Sequence, residues 1–269
     1  MRFARWLRRR FRSLRKRIGS DAVTPKTAPL KTVRTSDLTY YATATGNYWL
    51  PTDAHQDVIA QAIRSNRIFD REIVDLAGQY IKAGTAVLDV GANFGQMSVL
   101  FSNLAGDAGK VYGFEADDFV FEVFEKNILA NHKEGRIIPI FGAVHNVANE
   151  TLIFPVQDFR EFGTYGSYGI DYNADKGRSV NSITIDSLEI PEPVSFMKID
   201  IQGGDLQGMQ GAVKTIQRNR MPILFEYEYQ FEARFNMSFQ SYVDFVRDMD
   251  YVFKRVVIGH NFLIVPRTS

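Results

Sequence analysis

The run Ala86-Val-Leu-Asp-Val-Gly-Ala-Asn-Phe-Gly95 constrains the fold of this chain more than any other stretch. A near-continuous apolar strand leads directly into a turn bracketed by Gly91 and Gly95, and helix-compatible sequence continues to about residue 104. A strand apolar on both faces has to be covered on both, as in a parallel sheet sandwiched between helices. The alternation recurs downstream. Strands are expected at 110–115, 136–144, 194–201, 222–228, 251–257 and 260–266, and helices at 117–131, 204–219 and 238–248. Helical periodicity also runs through 54–82, on Ile59, Ile63, Ile68, Ile73, Leu76 and Tyr80. This order predicts an α/β fold with a mostly parallel, doubly wound sheet. The last two strands meet through the short Ile258-Gly-His-Asn261 turn, which predicts an antiparallel edge strand.

At 269 residues the chain has room for one large domain and a tail. The charge is unevenly spread. Residues 1–20 hold nine Lys and Arg and no acid, whereas the rest has 23 basic residues against 31 acidic, a net −8. Residues 1–18 read as a basic amphipathic segment, with Phe3, Trp6, Leu7, Phe11, Leu14 and Ile18 on one stripe. That pattern suits a helix lying on an anionic membrane surface. A disordered basic tail, a helix docked on a partner and a nucleic-acid arm share the same composition. Residues 19–50 read as a polar linker and an aromatic lead-in, and 51–269 as the main domain, with an irregular β/loop insertion at 150–185. The absence of cysteine excludes disulfides and thiolate metal sites. No apolar run approaches the ~18 residues of a membrane-spanning helix, and the first residues lack the apolar core of an export signal. A cytoplasmic protein, at most peripheral on the membrane face, is expected. An acidic body argues against nucleic acid as the substrate.

In an open α/β sheet, ligands bind beyond the carboxyl ends of the strands, near the point where strand order reverses. Gly91, Ala92, Asn93 and Gly95 form the turn there, and the following helix start offers N–H groups to an anion. The G-x-G-x-x-G dinucleotide fingerprint is absent, which argues against a nucleotide-dependent oxidoreductase. Asp89, two residues before the first glycine, would repel a pyrophosphate and favour a ligand with cationic groups. S-adenosylmethionine (SAM) combines an ammonium, a sulfonium and one carboxylate, so it suits an acid and a helix start together. Asp89 could equally brace the turn. Glu115 ends the second strand, placed to accept hydrogen bonds from ribose hydroxyls. Ala116, Gly142 and Ala143 could border an adenine or simply pack tightly.

Five segments occur in order: Val87-Leu-Asp-Val-Gly-Ala-Asn93-x-Gly95, Phe114-Glu115, Thr184-Ile-Asp-Ser-Leu188, Met197-Lys-Ile-Asp-Ile-Gln-Gly203 and Leu224-Phe-Glu-Tyr-Glu228. Together, over roughly residues 60–255, they resemble the FkbM-type methyltransferases. The resemblance implies a SAM-dependent O-methyltransferase of the class I Rossmann-like fold, acting on hydroxyls of sugars, polysaccharides or polyketides. The chain departs from the usual Lys-Ile-Asp-x-Glu-Gly-x-Glu pattern: Gln202 replaces the first Glu and Asp205 the second.

Period-two alternation puts Phe196, Lys198 and Asp200 on one face of the 194–201 strand and Met197, Ile199 and Ile201 on the other. Asp200 is the candidate proton acceptor or acceptor-orienting group, with Lys198 tuning it; a structural Lys198–Asp200 pair is the plainer alternative. Glu226 is a further catalytic candidate, with Glu228 beside it. The four histidines show no ligand spacing, so zinc is not expected. A divalent ion on Asp200, Asp205 and Glu226 is conceivable but not favoured. The aromatic and glycine-rich segment 159–172 either packs on a sugar ring or on itself. The expected partners are a sugar or glycan acceptor, an anionic membrane through residues 1–18 and glycan-assembly enzymes. A non-catalytic scaffold in a glycan-assembly complex is the competing reading.

Overall fold

The computed structural model describes residues 37–155, 164–166, 168–172, 174 and 177–268, with the backbone alone at 255–257. The basic segment 1–18, the linker over 19–36 and part of the 159–172 segment lie outside the described residues.

The chain enters as a hairpin, β1 (Leu38–Thr43) and β2 (Gly46–Pro51). Two short helices follow, α1 (Val58–Arg64) and α2 (Arg71–Ala77). The expected 54–82 periodicity is therefore split, with Asn66 and Asp70 in left-handed backbone between the pieces. Strand–helix alternation then sets in: β3 (Ala86–Val90), α3 (Gln96–Leu104), β4 (Lys110–Glu115), α4 (Asp118–Ala130) and β5 (Ile137–Phe141). The expected 136–144 strand leaves the main sheet at Gly142. Its last residues, β6 (Ala143–Val144), pair instead with β8 (Gly177–Ile183), which also pairs with β7 (Thr151–Pro155). This three-stranded sheet is the insertion.

After β9 (Val194–Ile199) the expected 204–219 helix is two, α5 (Asp205–Gln210) and α6 (Val213–Asn219). The break is at Gly211, where a Cβ would lie 2.0 Å from the His145 carbonyl oxygen. Such long-range crowding cannot be read from helical periodicity. The chain closes with β10 (Ile223–Glu226), α7 (Glu232–Phe235), α8 (Phe239–Asp248), β11 (Tyr251–Ile258) and β12 (Asn261–Pro266).

The main sheet has the order β11-β12-β10-β9-β3-β4-β5. Pairings from β10 through β9 and β3 to β5 are parallel. The expected antiparallel strand is β12, which runs against both β10 and the outermost β11. Strand order reverses at β3, which lies between β4 and β9, so the ligand-binding crevice is expected at its carboxyl end. β3 and β9 are buried along their whole lengths. Val87 and Phe196 pack on one side of the sheet with Phe94, Phe101 and Phe124. Leu88, Val90, Met197 and Ile199 pack on the other with Phe225 and Tyr242.

The entry hairpin is tied to this frame by two asparagines, one in α4 and one at its C-cap. Asn127, fully buried, accepts from Trp49 N (2.6 Å) and donates to Trp49 O (3.2 Å) and Phe94 O (2.9 Å). Asn131 makes the same two-way contact with Asn47. Each thereby satisfies strand groups that a free hairpin edge leaves open.

Candidate active site

The turn after β3 is held by the protein's own backbone. Gly91 N and Ala92 N donate to the Phe114 carbonyl at 3.1 and 2.8 Å. Gly91 has φ +83°, and a Cβ there would meet the Asp200 carbonyl oxygen at 2.0 Å. The chain therefore passes directly over the end of β9, and glycine is needed for both reasons. Gly95, also left-handed, is the N-cap of α3, and no side chain caps that helix. Its first N–H groups therefore have no capping side chain, and Gly95, Gln96 and Met97 line the crevice.

Glu115 ends β4 and closes the turn from the other side. Its Oε2 accepts from Asn93 N (3.0 Å), and its Oε1 from Ala116 N and Asp117 N (both 2.8 Å). Burial pushes this carboxyl up to about 7, although the three N–H donors favour its charged form.

A cleft runs along the carboxyl ends of β3, β4 and β9. Gly91, Ala92, Asn93, Gly95, Glu115, Ala116, Gly142, Ala143, Lys198 and Asp200 all line it. Asp89 does not. It is fully buried under the turn, with Oδ2 accepting from Ser98 Oγ of α3 at 2.5 Å. Its Oδ1 lies 3.9 Å from Lys198 Nζ and makes no hydrogen bond among the described residues. The expectation that Asp89 faces the ligand is thus corrected. Alternation along β3 turns it with Val87 toward α3, and it braces the strand–helix junction.

Lys198 is the centre of the charge arrangement. Its Nζ donates to the Gly91 carbonyl (3.0 Å) and lies 3.5 Å from Asp200 Oδ2. Burial alone would lower its pKa; Asp200, Asp89, Glu226 and Asp205 outweigh that and hold it above the usual range. A buried ammonium is stable only in such company. Lys198 therefore joins the glycine turn to Asp200, which is part-exposed at the cleft.

A second cavity, of about 500 Å³, adjoins the first and shares Ile59, Phe69, Gly166, Asp200 and Gln202 with it. Asp70, Glu226 and Glu228 contribute carboxylates to it, and Phe69 and Phe231 contribute aromatic rings. Burial, then Asp200 and Asp205, push Glu226 up to about 9. Asp205 itself is fully buried, accepts from Ile201 N and Glu226 N at 3.5 and 3.3 Å, and is driven well upward by burial and Asp200. Glu228 lies beyond the end of β10 rather than on it. No group of three or more His, Asp or Glu side chains among the described residues is arranged to hold a metal ion.

Two contributors were not anticipated. Asp57 caps α1 through Ala60 N (2.7 Å) and also accepts from Tyr165 N (2.7 Å), fixing residues 164–166 over the cleft. An Asp immediately before a helical stretch is a cap signal, but its second partner lies far away in sequence. Gln202 was noted only as a missing acid; its Nε2 reaches both Asp200 Oδ1 (3.2 Å) and Glu226 Oε2 (3.4 Å).

The sequence pattern of the methyltransferase FkbM domain matches residues 89–253, more than half of the chain. The chain belongs to the FkbM methyltransferase family. Its cofactor is SAM. Among curated proteins, ribosomal protein L11 methyltransferase of Dictyoglomus turgidum is 39% identical over 61 residues, 23% of this chain and 20% of that protein. The chain thus matches about a fifth of that relative's length. Among solved structures, methyltransferase FkbM from Methylobacillus flagellatus KT is similar at 15% identity and TM-score 0.45, over 71% of this chain and 50% of that one. A SAM-dependent O-methyltransferase from Thermotoga maritima is similar at 14% identity and TM-score 0.45, over 86% and 79%.

The cleft of this FkbM methyltransferase fits the cofactor's chemistry. The uncapped start of α3 suits the carboxylate, Glu115 the ribose hydroxyls, and Ala116, Gly142 and Ala143 a flat base. A pH dependence follows from Glu115. Its folded pKa is raised from the ordinary 4.5, so burial favours its protonated form, and that contribution to stability is lost as pH rises through about 7. A bound ribose would offer its hydroxyl hydrogens to the ionised form. SAM affinity should therefore tighten as pH rises through that range, by up to about tenfold per unit below it. Calorimetry across pH checks this; Glu115→Gln should bind weakly and lose the dependence, and a pH-independent wild type would contradict it.

Proposed function

We propose that this methyltransferase transfers the methyl group to a hydroxyl of a sugar, within a glycan, polysaccharide or glycolipid precursor. The observation that carries this reading is the opening of the cofactor cleft into the acid-rich second cavity, with Asp200 on both walls. A sugar presents many hydroxyl donors and little charge. Asp70, Asp200, Glu226 and Glu228 supply acceptors for them, Gln202 and Gln230 supply amides, and Phe69 and Phe231 supply faces for the C–H side of a ring.

When bound, SAM supplies an activated methyl on a sulfonium, so the protein has only to align the acceptor oxygen and handle one proton. Asp200 receives that proton. Its carboxylate is part-exposed in the cavity and anchored from behind by Lys198. Lys198 holds Asp200 against the Gly91 carbonyl, which fixes the acceptor side relative to the cofactor turn.

The test is a comparison of the native glycan made with and without the protein present. A mass increase of one methyl on a sugar residue is expected. An unchanged glycan, with SAM consumed on a non-sugar acceptor, would overturn the reading.

A further inference from the structure

We propose that Arg178 is a positioning residue for the cofactor: from the inserted sheet it fixes the corner Glu115-Ala-Asp117 and the ring of Phe154, which together wall the base end of the SAM cleft. The inference rests on the cleft holding SAM with its ribose at Glu115. It does not depend on the acceptor being a sugar.

Arg178 stands on β8 and reaches across to the start of α4. Its Nη2 donates to Asp117 Oδ2 at 2.5 Å, and its Nη1 donates to Asp118. The planar fork lets one side chain hold the carboxylates of two successive residues, which the point charge of a lysine does not match. Asp117 is buried, and its other oxygen is engaged as well. Oδ1 caps α4 by accepting from Phe119 N and Val120 N, both at 2.9 Å. The N–H of Asp117 donates to Glu115 Oε1 at 2.8 Å. A buried carboxylate is costly without a cation beside it, and Arg178 supplies one. Contacts therefore run without a break from the inserted sheet, through Asp117, to the acid expected at the ribose.

The same guanidinium holds a second part of the wall. Phe154 is paired with Arg178 across β7 and β8, and the guanidinium carbon lies 4.9 Å from the centre of its ring. A cation over an aromatic face is attracted to it. Phe154 is buried with Ala143, Leu152 and Val180, and Ala116 packs against this group. Phe154, Ala116 and Ala143 all line the cleft. Two alanines beside an aromatic ring offer a flat base an apolar surface. The strands β7 and β8 interrupt the strand–helix order, yet through Phe154 and Arg178 they build this wall of the cofactor cleft.

The test needs no acceptor. The full chain and its variants are titrated calorimetrically with S-adenosylhomocysteine and with 5′-methylthioadenosine, which keeps the adenosine and lacks the amino-acid group. Arg178→Ala is expected to weaken both ligands alike, by about tenfold. Arg178→Lys keeps the charge but loses the fork, so its affinities should fall between those of Arg178→Ala and the wild type. Arg220→Ala is the control. Arg220 also pairs with an aspartate, Asp250 at 3.2 Å, and its guanidinium lies 4.9 Å from the centre of the Tyr251 ring. It sits between α6 and β10, at the amino end of the strand and so on the edge opposite the cleft. Arg220→Ala should lower stability and leave both affinities unchanged. Equal weakening in Arg220→Ala and Arg178→Ala would reduce Arg178 to a general brace and overturn the proposal. Unchanged affinities in Arg178→Ala, or a loss confined to S-adenosylhomocysteine, would also overturn it. If Arg178→Ala does not fold, the lysine variant decides: a shared loss supports the proposal and unchanged affinities sink it. If the shared loss is found and no sugar is methylated, the acceptor reading fails and the role of Arg178 stands.

Discussion

Asp200→Asn is expected to lower methyl transfer by about 10²–10⁴-fold while leaving SAM affinity near the wild-type value. Asparagine has the shape of aspartate but cannot accept a proton at neutral pH. The substitution should be well tolerated structurally, because Lys198 keeps the Gly91 carbonyl at 3.0 Å and Asp89 at 3.9 Å. The asymmetry between turnover and binding is the informative part. Asp200 lies where the two cavities meet, whereas Glu115, the acid expected at the ribose, closes the turn from the end of β4. Single-turnover rates and calorimetry on the same preparation measure both quantities. Loss of SAM binding in proportion to loss of rate would move Asp200 into the cofactor site. Unchanged turnover would remove it from proton transfer.

The second large effect is on stability. Gly91→Ala should destabilise the fold by about 3 kcal/mol or more. Left-handed backbone costs about 1–2 kcal/mol, and forcing apart packed groups a further 1–3 kcal/mol or so. The overlap here is with backbone, a Cβ at 2.0 Å from the Asp200 carbonyl oxygen, which no rotamer change can relieve. Either the turn or the end of β9 must move, and both belong to the site. Gly135 supplies the control: its φ is +79°, but nothing lies within 4 Å of where its Cβ would be. Gly135→Ala should therefore show the backbone cost without the overlap. Urea denaturation of the two variants separates the contributions. Equal losses would mean that the close approach of Gly91 to Asp200 is absent in solution.

The β3 turn could be read from the chain itself, because its signal is local. An apolar strand, two glycines and a helix start are adjacent in sequence, and the cleft lies on them. Glu115 was accessible for the same reason, standing at the end of the next strand. Asp89 shows where such reading stops. Its spacing from Gly91 suggests ligand contact, yet strand alternation combined with the position of α3 turns it onto Ser98. The interruption at Gly211 and the departure of β6 from the sheet depend on contacts with distant residues, so neither leaves a mark in local periodicity. Asn127 follows Glu125 and Lys126 and so reads as one more polar residue of its helix, and its partners Trp49 and Phe94 come from two remote segments. Gln202 was visible as a departure from a motif. Its significance depends on a left-handed backbone and on Glu226, neither of which the motif contains.

In the proposed reaction the cleft beside Asp200 directs a methyl group from SAM onto a sugar oxygen. Transfer from SAM labelled with carbon-13 at the methyl, followed by NMR of the recovered glycan, tests it most directly. A single new methyl resonance is expected, with the chemical shift of a methyl ether and correlated to one sugar carbon, and it should be lost in Asp200→Asn. A label found on nitrogen or carbon, or on no glycan at all while S-adenosylhomocysteine accumulates, would contradict it.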